Sequence, residues 1–323
     1  MSHVKNVAIV GATGTVGSYI VDELLKAGKH QVTAITRHDS TALIPDGVQV
    51  AKVDYADRNS LVAAMRGQDV LIITMSVQAP KEAQLKLIDA AADAGVPWVL
   101  PNEWGLDQTN LPFADEAFMG PPSRAVRKHI EERGVSGWIG VVCGFWYDFS
   151  LGGSPSRYGF DFGNRSVMLF DEGTQPINTT TFPQVGRAVA RLLALPTERE
   201  SVGGSGGRKG SLADFRNGFV YISSFCVSQR DMLESALRVT GTQLEDWNIS
   251  HEGSAERYAK GLQMMKEGNR VGFVQAMYTR TFFPNDDGAY EKSRGLDNEL
   301  LSLPVEDLDE FTGLAVARKG DKY

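Results

Sequence analysis

A glycine-rich segment near the start of the chain is the first place where residue type and spacing point to chemistry. Residues 11–17 read Gly-Ala-Thr-Gly-Thr-Val-Gly, a G-x-x-G-x-x-G pattern directly after the apolar run 7–10. In a strand-to-helix turn, such glycines permit a tight bend and a close approach of the backbone to a pyrophosphate. The N-terminus of the following helix then offers unpaired N–H groups to the phosphates. The pattern therefore predicts dinucleotide binding, with contacts from Gly11, Thr13, Gly14, Thr15, Val16 and Gly17.

The end of the second predicted strand bears on the choice of dinucleotide. In NAD-binding folds an acidic residue about 20 positions further on holds the adenosine ribose, and here that position is Arg37. Arginine makes bidentate hydrogen bonds to phosphate, so Arg37 favours NADP(H), although Asp39 nearby keeps NAD open. Asp54 follows the third predicted strand, where it either accepts a hydrogen bond from the adenine amine or simply ends the strand in a turn.

The segments that must position these residues alternate between short apolar runs and helical patterns. Strands are predicted at 7–10, 31–36, 48–53, 70–73, 96–100 and 138–142. Helices are predicted at 16–27, 57–65, 81–94 and 123–133, each closely followed by a glycine. This alternation indicates right-handed βαβ crossovers and a parallel sheet, and therefore an α/β fold.

After Cys143 the regular alternation ends. The sequence predicts a hairpin over 157–170 with its turn at Gly163-Asn164, an amphipathic helix over 182–194 and a strand over 219–223. The segment 228–231 has the form of a capping box that opens a helix reaching residue 240. Residues 203–210 are rich in glycine and serine, and we expect a flexible surface loop there rather than a phosphate cradle.

Composition narrows the classes of function. The chain has 323 residues, a net charge of −7 and a pI of about 5.4, so it lacks the overall basic charge that nucleic-acid or anionic-membrane binding needs. Its two cysteines are too few for a disulfide framework or a zinc site. No apolar run approaches the ~18 residues of a membrane span, and the first residues lack the features of a secretory signal. We therefore expect a cytoplasmic protein that acts on a small molecule.

Several segments of the chain are similar to those of a known family. Besides residues 7–37, they are L-P-N-E-W-G at 100–105, which is similar to an L-P-S-E-F-G segment, R-K-H-I-E-E at 127–132, V-C-G-F at 142–145 and L-P-V-E-D-L at 303–308. Together they resemble the NmrA-like and isoflavone reductase-like families, which belong among the atypical short-chain dehydrogenases.

This resemblance implies a Rossmann-type, doubly wound parallel sheet that carries NADP(H), and a smaller mixed α/β domain that closes over a substrate. We place the first domain at 1–155 and the second at 156–323, with the segments 182–195 and 218–240 returning to the first. Ligands of open α/β sheets bind beyond the carboxyl ends of the strands. The resemblance accordingly implies that the cofactor lies along Met75, Ser76 and Gln78, with its nicotinamide near Pro101, Asn102 and Glu103.

The chain departs from the family at the catalytic position. The reductases of this family use a lysine in a K-x-x-x-R pattern, and with Arg127 as the arginine the lysine position is Ser123. A carbonyl or enone reduction still needs a proton donor or hydrogen-bond donors for the developing oxyanion. The candidates are Tyr147 just past the sixth strand, Lys128 on the same helix as Arg127, and Ser123 itself. Core packing is the alternative for Tyr147, and a solvated surface position is the alternative for Lys128.

Two hypotheses about function remain open. The first is an NADPH-dependent oxidoreductase that reduces a small apolar or aromatic carbonyl or enone, because the aromatic run 145–149 lies where a substrate would meet the nicotinamide, and Trp104, Phe113 and Phe118 could close over it. The second is a non-catalytic NADP(H) sensor that presents a surface to another protein, which the loss of the lysine favours. We favour the enzyme, and a non-redox reaction such as an isomerisation stays open as a third class.

Overall fold

The computed structural model describes residues 2–76, 79–198 and 210–318. The strands are β1 (Asn6–Val10), β2 (Gln31–Arg37), β3 (Gln49–Val53), β4 (Val70–Ile73), β5 (Trp98–Leu100), β6 (Trp104–Gly105), β7 (Gly137–Val142), β8 (Phe145–Trp146), β9 (Phe160–Asp161), β10 (Ser166–Phe170), β11 (Ile177–Thr180), β12 (Gly218–Tyr221), β13 (Phe225–Val227) and β14 (Asn248–Glu252). The helices are α1 (Thr15–Ala27), α2 (Arg58–Met65), α3 (Lys81–Ala94), α4 (Leu111–Glu116), α5 (Gly120–Arg133), α6 (Tyr147–Leu151), α7 (Phe182–Leu193), α8 (Gln229–Thr240), α9 (Ser254–Lys266), α10 (Val271–Thr281), α11 (Glu291–Arg294) and α12 (Leu308–Arg318).

An eight-stranded parallel sheet forms the larger part of the fold. Its strand order is β12-β7-β5-β4-β1-β2-β3, with β6 paired to β7. Every residue of β4 and β7 is buried, because α1 and α7 cover one face of the sheet while α2, α3 and α5 cover the other. The predicted fold class, a doubly wound α/β sheet of Rossmann type, is confirmed.

A smaller mixed part follows β7 and has its own core. It contains two three-stranded sheets, ordered β14-β10-β9 and β13-β11-β8, and its buried side chains come largely from aromatic residues. The predicted hairpin is confirmed by the antiparallel pairing of β9 and β10, and the Asp161 carboxylate accepts a hydrogen bond from the Asn164 amide at 3.0 Å in its turn. The capping box of α8 is also confirmed, since Ser228 and Asp231 each accept from the other's backbone N–H.

The later half of the chain contributes to the large sheet in two places. Helix α7 packs on α1, where the rings of Tyr19 and Phe182 stack with centroids 5.6 Å apart. Strand β12 extends the sheet beside β7, whereas α8 packs against α12 and β10 of the smaller part. The division into domains near residue 155 stays a prediction.

The start of α5 differs from its prediction. Helix α5 begins at Gly120, three residues earlier than predicted, because Pro121 and Pro122 fit the first turn of a helix, where no intrahelical N–H bond is needed. The glycine-serine segment 203–210 lies outside the described residues except for Gly210. Within the described ranges, no helix combines the length and the apolar character needed to cross a bilayer.

Candidate functional site

A pocket of about 970 Å³ lies at the carboxyl ends of β1, β2 and β4. Its lining brings together segments that are distant in sequence: Val10, Gly11, Ala12, Thr13, Gly14, Ile35, Thr36, Arg37, Ser40, Ala42, Ile44, Tyr55, Thr74, Met75, Ser76, Ala79, Pro80, Glu82, Ala83 and Lys86. This is the edge of the sheet where an α/β fold binds its ligand. The volume is at the upper end of the range for small-molecule and cofactor sites, which suits a ligand as long as a dinucleotide.

The glycine loop closes one end of this pocket, and its geometry explains two of the three glycines. Gly11 has a φ of +83°, and a Cβ there would lie 2.1 Å from the Thr74 carbonyl oxygen. A Cβ on Gly17 would lie 2.1 Å from the Gly11 carbonyl oxygen, so α1 can approach β1 and β4 this closely only without a side chain. Gly14 is less constrained, because its Cβ would be 3.2 Å from the nearest atom, the same carbonyl oxygen of Gly11.

The N-terminus of α1 faces this pocket and is suited to bind an anion. Gly14 caps the helix without a side-chain hydrogen bond, and the first turn contains no acidic residue. Thr13 lines the pocket, whereas the Val16 side chain is buried in the core, so Val16 can contact a ligand only through its backbone. Thr15 is exposed at the first position of α1 and does not line the pocket. Free N–H groups and the helix dipole together favour a phosphate here.

Arg37 lies on the rim of the pocket beside Ser40. Its side chain is 72% exposed, and its contact with Asp39, 3.8 Å between Nε and Oδ1, joins two side chains that both face water. Such a loose surface pair contributes little energy. Arg37 is therefore available to bind an additional phosphate at the end of β2.

Asp54 is used within its own turn. Its carboxylate accepts a hydrogen bond from the Ala56 amide at 2.8 Å, and its own amide donates to Ser60 Oγ at 3.2 Å. It does not line the pocket, so the structure favours the turn-forming alternative over a contact with adenine.

Asn102 joins the loop after β5 to two neighbouring segments, the loop after β4 and helix α3. Its side-chain oxygen accepts from the Met75 amide and its side-chain nitrogen donates to the Met75 carbonyl, both at 3.1 Å. Its own amide donates to Gln84 Oε1 at 2.8 Å. Met75 and Ser76 line the pocket, while Gln78 lies outside the described residues. Asn102 thus positions Met75, and its contact with the nicotinamide end of a cofactor stays a prediction.

Glu103 is buried in the loop after β5, and Pro101 of the same loop is also buried. One carboxylate oxygen pairs with the Arg127 guanidinium, whose central carbon lies 5.2 Å from the Trp138 ring centroid and 5.1 Å from that of Phe219. The other oxygen is buried without a hydrogen-bond partner among the described residues. Burial raises the pKa of Glu103 to about 7, against the attraction of Arg127. The pair joins the loop after β5 to α5.

The structure places Tyr147, the predicted proton donor, in the core and away from the pocket. The residue is 0% exposed, and its hydroxyl is 2.7 Å from Thr312 Oγ1 within the core of the smaller part. Burial raises the pKa of this phenol, which makes proton release harder still. Tyr147 is a core residue because the chain enters α6 directly after β8, which turns its side chain inward.

The remaining catalytic candidates also lack a place in the pocket. Lys128 points to solvent on α5, where its Nζ lies 3.6 Å from Glu132 and its side chain is 75% exposed. Ser123 is half-buried near the start of α5 and does not line the pocket. Lys128 is therefore a solvated surface residue rather than a proton donor.

The aromatic run 145–149 is mainly packing. Trp146 and Phe149 pack around Phe182 between the two parts of the fold, and Phe145 stacks on Tyr278 with centroids 3.9 Å apart. The expectation that this run lines a substrate cleft is wrong for Tyr147 and unsupported for Trp146. The loop aromatics Trp104 and Phe113 are buried as well.

Comparison with known proteins agrees with this architecture. Residues 3–148 match the model of the NmrA-like family. The oxidoreductase aprR of Aspergillus flavus is 29% identical over 311 residues, which cover 94% of this chain and 96% of that protein. In its first half this protein is similar to the NmrA-like family, and it shares the fold of isoflavone reductase.

Solved structures share the fold of this protein over nearly its whole length. The crystal structure of isoflavone reductase superposes with a TM-score of 0.74 at 20% identity, covering 96% of this chain and 98% of that one. The NADPH-dependent quinone oxidoreductase QOR2 of Escherichia coli, complexed with NADPH, superposes with a TM-score of 0.66 at 18% identity, covering 95% of this chain and 98% of that one. At these identities the likeness shows the fold.

Sequence reasoning missed many residues that line the pocket, among them the polar residues Tyr55, Thr74, Glu82 and Lys86. Thr74 Oγ1 donates to the Val10 carbonyl at 2.8 Å and thereby fixes the end of β4 against the glycine loop. The signal for the two α3 residues was their spacing of one helical turn near the helix start, but the same spacing is common on solvent-facing helices. Within the described residues, no group of three or more potential metal-ligating side chains occurs.

Proposed function

We propose that this protein is an NADPH-dependent oxidoreductase that reduces a small apolar or aromatic carbonyl or enone. The observation that carries the proposal is the pocket in which the glycine loop, the open N-terminus of α1 and the exposed Arg37 meet. The glycine loop and the N-terminus of α1 fit a pyrophosphate, and Arg37 fits a 2′-phosphate. The names of two relatives, oxidoreductase aprR and quinone oxidoreductase 2, support the redox class.

Within this proposal the residues of the chain have separate tasks. The backbone of the glycine loop and the first turn of α1 bind the pyrophosphate, and Arg37 selects NADPH over NADH through the 2′-phosphate. Asn102 holds Met75 in place along the cofactor edge. Bound NADPH would supply the hydride, and the protein's contribution is to position it against the acceptor.

The substrate class follows from the missing proton donor. Ser123 occupies the lysine position, Tyr147 is buried and Lys128 faces solvent. An isolated ketone would need a general acid worth roughly 10²–10⁴ in rate. A conjugated acceptor such as a quinone or an aromatic enone spreads the charge left by hydride addition over the conjugated system, so that water can supply the proton. We therefore favour conjugated carbonyls over simple ketones.

The test compares the affinities of NADPH and NADH. We expect the unmodified protein to bind NADPH more tightly, and Arg37→Ala to weaken NADPH by about 1.5–3 kcal/mol with little change for NADH. Arg66→Ala removes an exposed arginine from the C-terminal end of α2, outside the pocket lining, and serves as the control. Equal affinities of the unmodified protein for the two cofactors would contradict the proposal. NADPH oxidation with quinones, aromatic enones and aromatic ketones then tests the acceptor class.

A second candidate, a non-catalytic NADP(H) sensor, is favoured by the serine at position 123. It predicts tight NADPH binding without turnover of any acceptor in that panel. Ser123→Lys then distinguishes the two candidates, because gained reductase activity would indicate an intact substrate site that lacks only its proton donor.

A further inference from the structure

We propose that Glu82 and Lys86 of α3 form an adenine-recognising pair, which makes this protein selective for the base of its cofactor as well as for its phosphate. The inference rests on the proposed function, since it concerns how the same pocket binds the adenosine end of NADPH. It assigns to α3 the contact with the adenine amine that was one of the two alternatives for Asp54.

One face of α3 and of the residues before it forms a wall of the pocket. Ala79, Glu82, Ala83 and Lys86 all line it, and they are separated by three or four positions, the spacing of one helix face. Glu82 and Lys86 are therefore one turn apart on that face. Glu82 is the one acidic residue in the described lining, and Arg37 and Lys86 are its cations.

The other parts of the pocket lining are suited to the phosphates, so the α3 wall is left for the adenine base. The glycine loop and α1 take the phosphate end, while Arg37 and Ser40 lie at the end of β2. The remaining lining between β2 and α3 is mostly apolar, as a slot for a flat heterocycle would be, and consists of Ala42, Ile44, Tyr55, Pro80 and Ala83.

Lys86 is held at the β3 side of this slot. Its Nζ donates to the Tyr55 carbonyl oxygen at 3.0 Å, which anchors the side chain beside the turn that follows β3. A lysine ammonium has three N–H donors, so two remain for a ligand. Within the part of the chain that the structure describes, no carboxylate lies within ion-pairing distance of this ammonium.

The chemistry of the pair is complementary to one edge of adenine. That edge presents the N6 amine as donor beside N7 as acceptor. An ionised glutamate only accepts hydrogen bonds and a lysine only donates them. Glu82 would accept from N6 and Lys86 would donate to N7. Hypoxanthine keeps N7 but replaces the amine with a carbonyl oxygen, which would face the Glu82 carboxylate and repel it.

Asp54, the alternative acceptor for the adenine amine, is engaged elsewhere. Its carboxylate accepts from the Ala56 amide within the turn after β3, and it does not line the pocket. The N6 amine therefore has Glu82 as its acidic partner among the described residues.

The experiment measures the affinity of the full-length protein for NADPH and for its hypoxanthine analogue, deamino-NADPH, by nicotinamide fluorescence. We expect the unmodified protein to prefer NADPH by about tenfold, the low end for a hydrogen bond to a charged group, because the pocket is open to water. Glu82→Gln should abolish this preference, because an amide can donate to the hypoxanthine oxygen. Lys86→Met removes the N–H donors at similar side-chain length and should weaken both cofactors alike, because both contain N7.

Glu132→Gln removes an exposed carboxylate from α5, outside the pocket, and should keep the preference. Glu82→Ala is a second variant and should lose the preference as Glu82→Gln does. Equal affinities for the two bases in the unmodified protein would overturn the inference while leaving NADPH binding intact. A preference that survives in both Glu82 variants would overturn the assignment to Glu82, and Lys86→Met without effect would overturn the assignment to Lys86. If NADPH itself does not bind, the proposed function fails as well, so the two failures are distinguishable.

Discussion

Replacing Tyr147 by phenylalanine should lower stability slightly and leave cofactor binding and turnover unchanged. The substitution removes one hydroxyl from the core and keeps the ring, which packs edge-on against Phe225 with centroids 5.1 Å apart. The hydroxyl lies 2.7 Å from Thr312 Oγ1, and that oxygen also accepts a hydrogen bond from Ser235 Oγ at 2.7 Å. Thr312 therefore keeps a partner in the variant.

The magnitude follows from these contacts. One buried neutral hydrogen bond is lost, no charge is stranded and no cavity larger than an oxygen atom forms, so the cost should be about 1 kcal/mol. Urea unfolding should show a lower midpoint with an unchanged dependence on denaturant. Tyr278→Phe is the matched control, because that buried hydroxyl also meets a single side-chain oxygen, Ser150 Oγ at 3.0 Å.

A different outcome would refute this reasoning. If Tyr147 donated a proton to substrate, its removal would cost on the order of 10²–10⁴ in turnover with any accepted substrate. Such a loss, with NADPH affinity retained and the Tyr278→Phe variant unaffected, would mean that the smaller part opens and exposes Tyr147 during the reaction.

Two further predictions concern the glycine loop and the buried ion pair. Gly17→Ala should weaken NADPH binding far more than Gly14→Ala, because the new Cβ would lie 2.1 Å from the Gly11 carbonyl oxygen in the first variant and 3.2 Å in the second; equal effects in a fluorescence titration would contradict this packing argument. Because the pKa of Glu103 is raised from 4.5 to about 7, the folded state binds more protons than the unfolded state in that interval, and the contribution of Glu103 to stability falls as the pH rises through it. The free energy of unfolding of Glu103→Gln should therefore fall less than that of the unmodified protein between about pH 5 and pH 8, and parallel urea-unfolding curves would contradict the raised pKa.

Local patterns were sufficient to predict the sheet. Strands β1, β4 and β5 are continuous or nearly continuous apolar runs, and the helices α1, α2, α3 and α5 each end near a glycine, so the alternation indicates parallel βαβ units. The same holds for the glycine loop, whose place between β1 and α1 gives it meaning. These are features that a few neighbouring residues determine.

The direction of a side chain after a strand is not a local property, and the structure places Tyr147 in the core rather than beside the pocket. Gly144 turns the chain with a φ of +62°, and a Cβ there would lie 2.1 Å from the Asn178 carbonyl oxygen of β11. Tyr147 itself contacts Phe225 and Thr312, which are more than seventy residues away in the sequence. Asp54 is different, because its hydrogen bond from Ala56 is local and the turn was one of its two predicted alternatives.

The position of β12 in the large sheet has a consequence for how the protein is made. Strand β7 is buried along its whole length, yet its neighbour on the outer side, β12, is encoded about 75 residues later. At ribosomal rates of roughly 5–20 residues per second, the apolar edge of β7 has no partner for several seconds of synthesis. An unpaired apolar edge is a template for association with other chains. A nascent or truncated chain that stops before residue 218 would therefore tend to pair with other copies, and the dinucleotide-binding half depends on the arrival of a distant segment for its solubility.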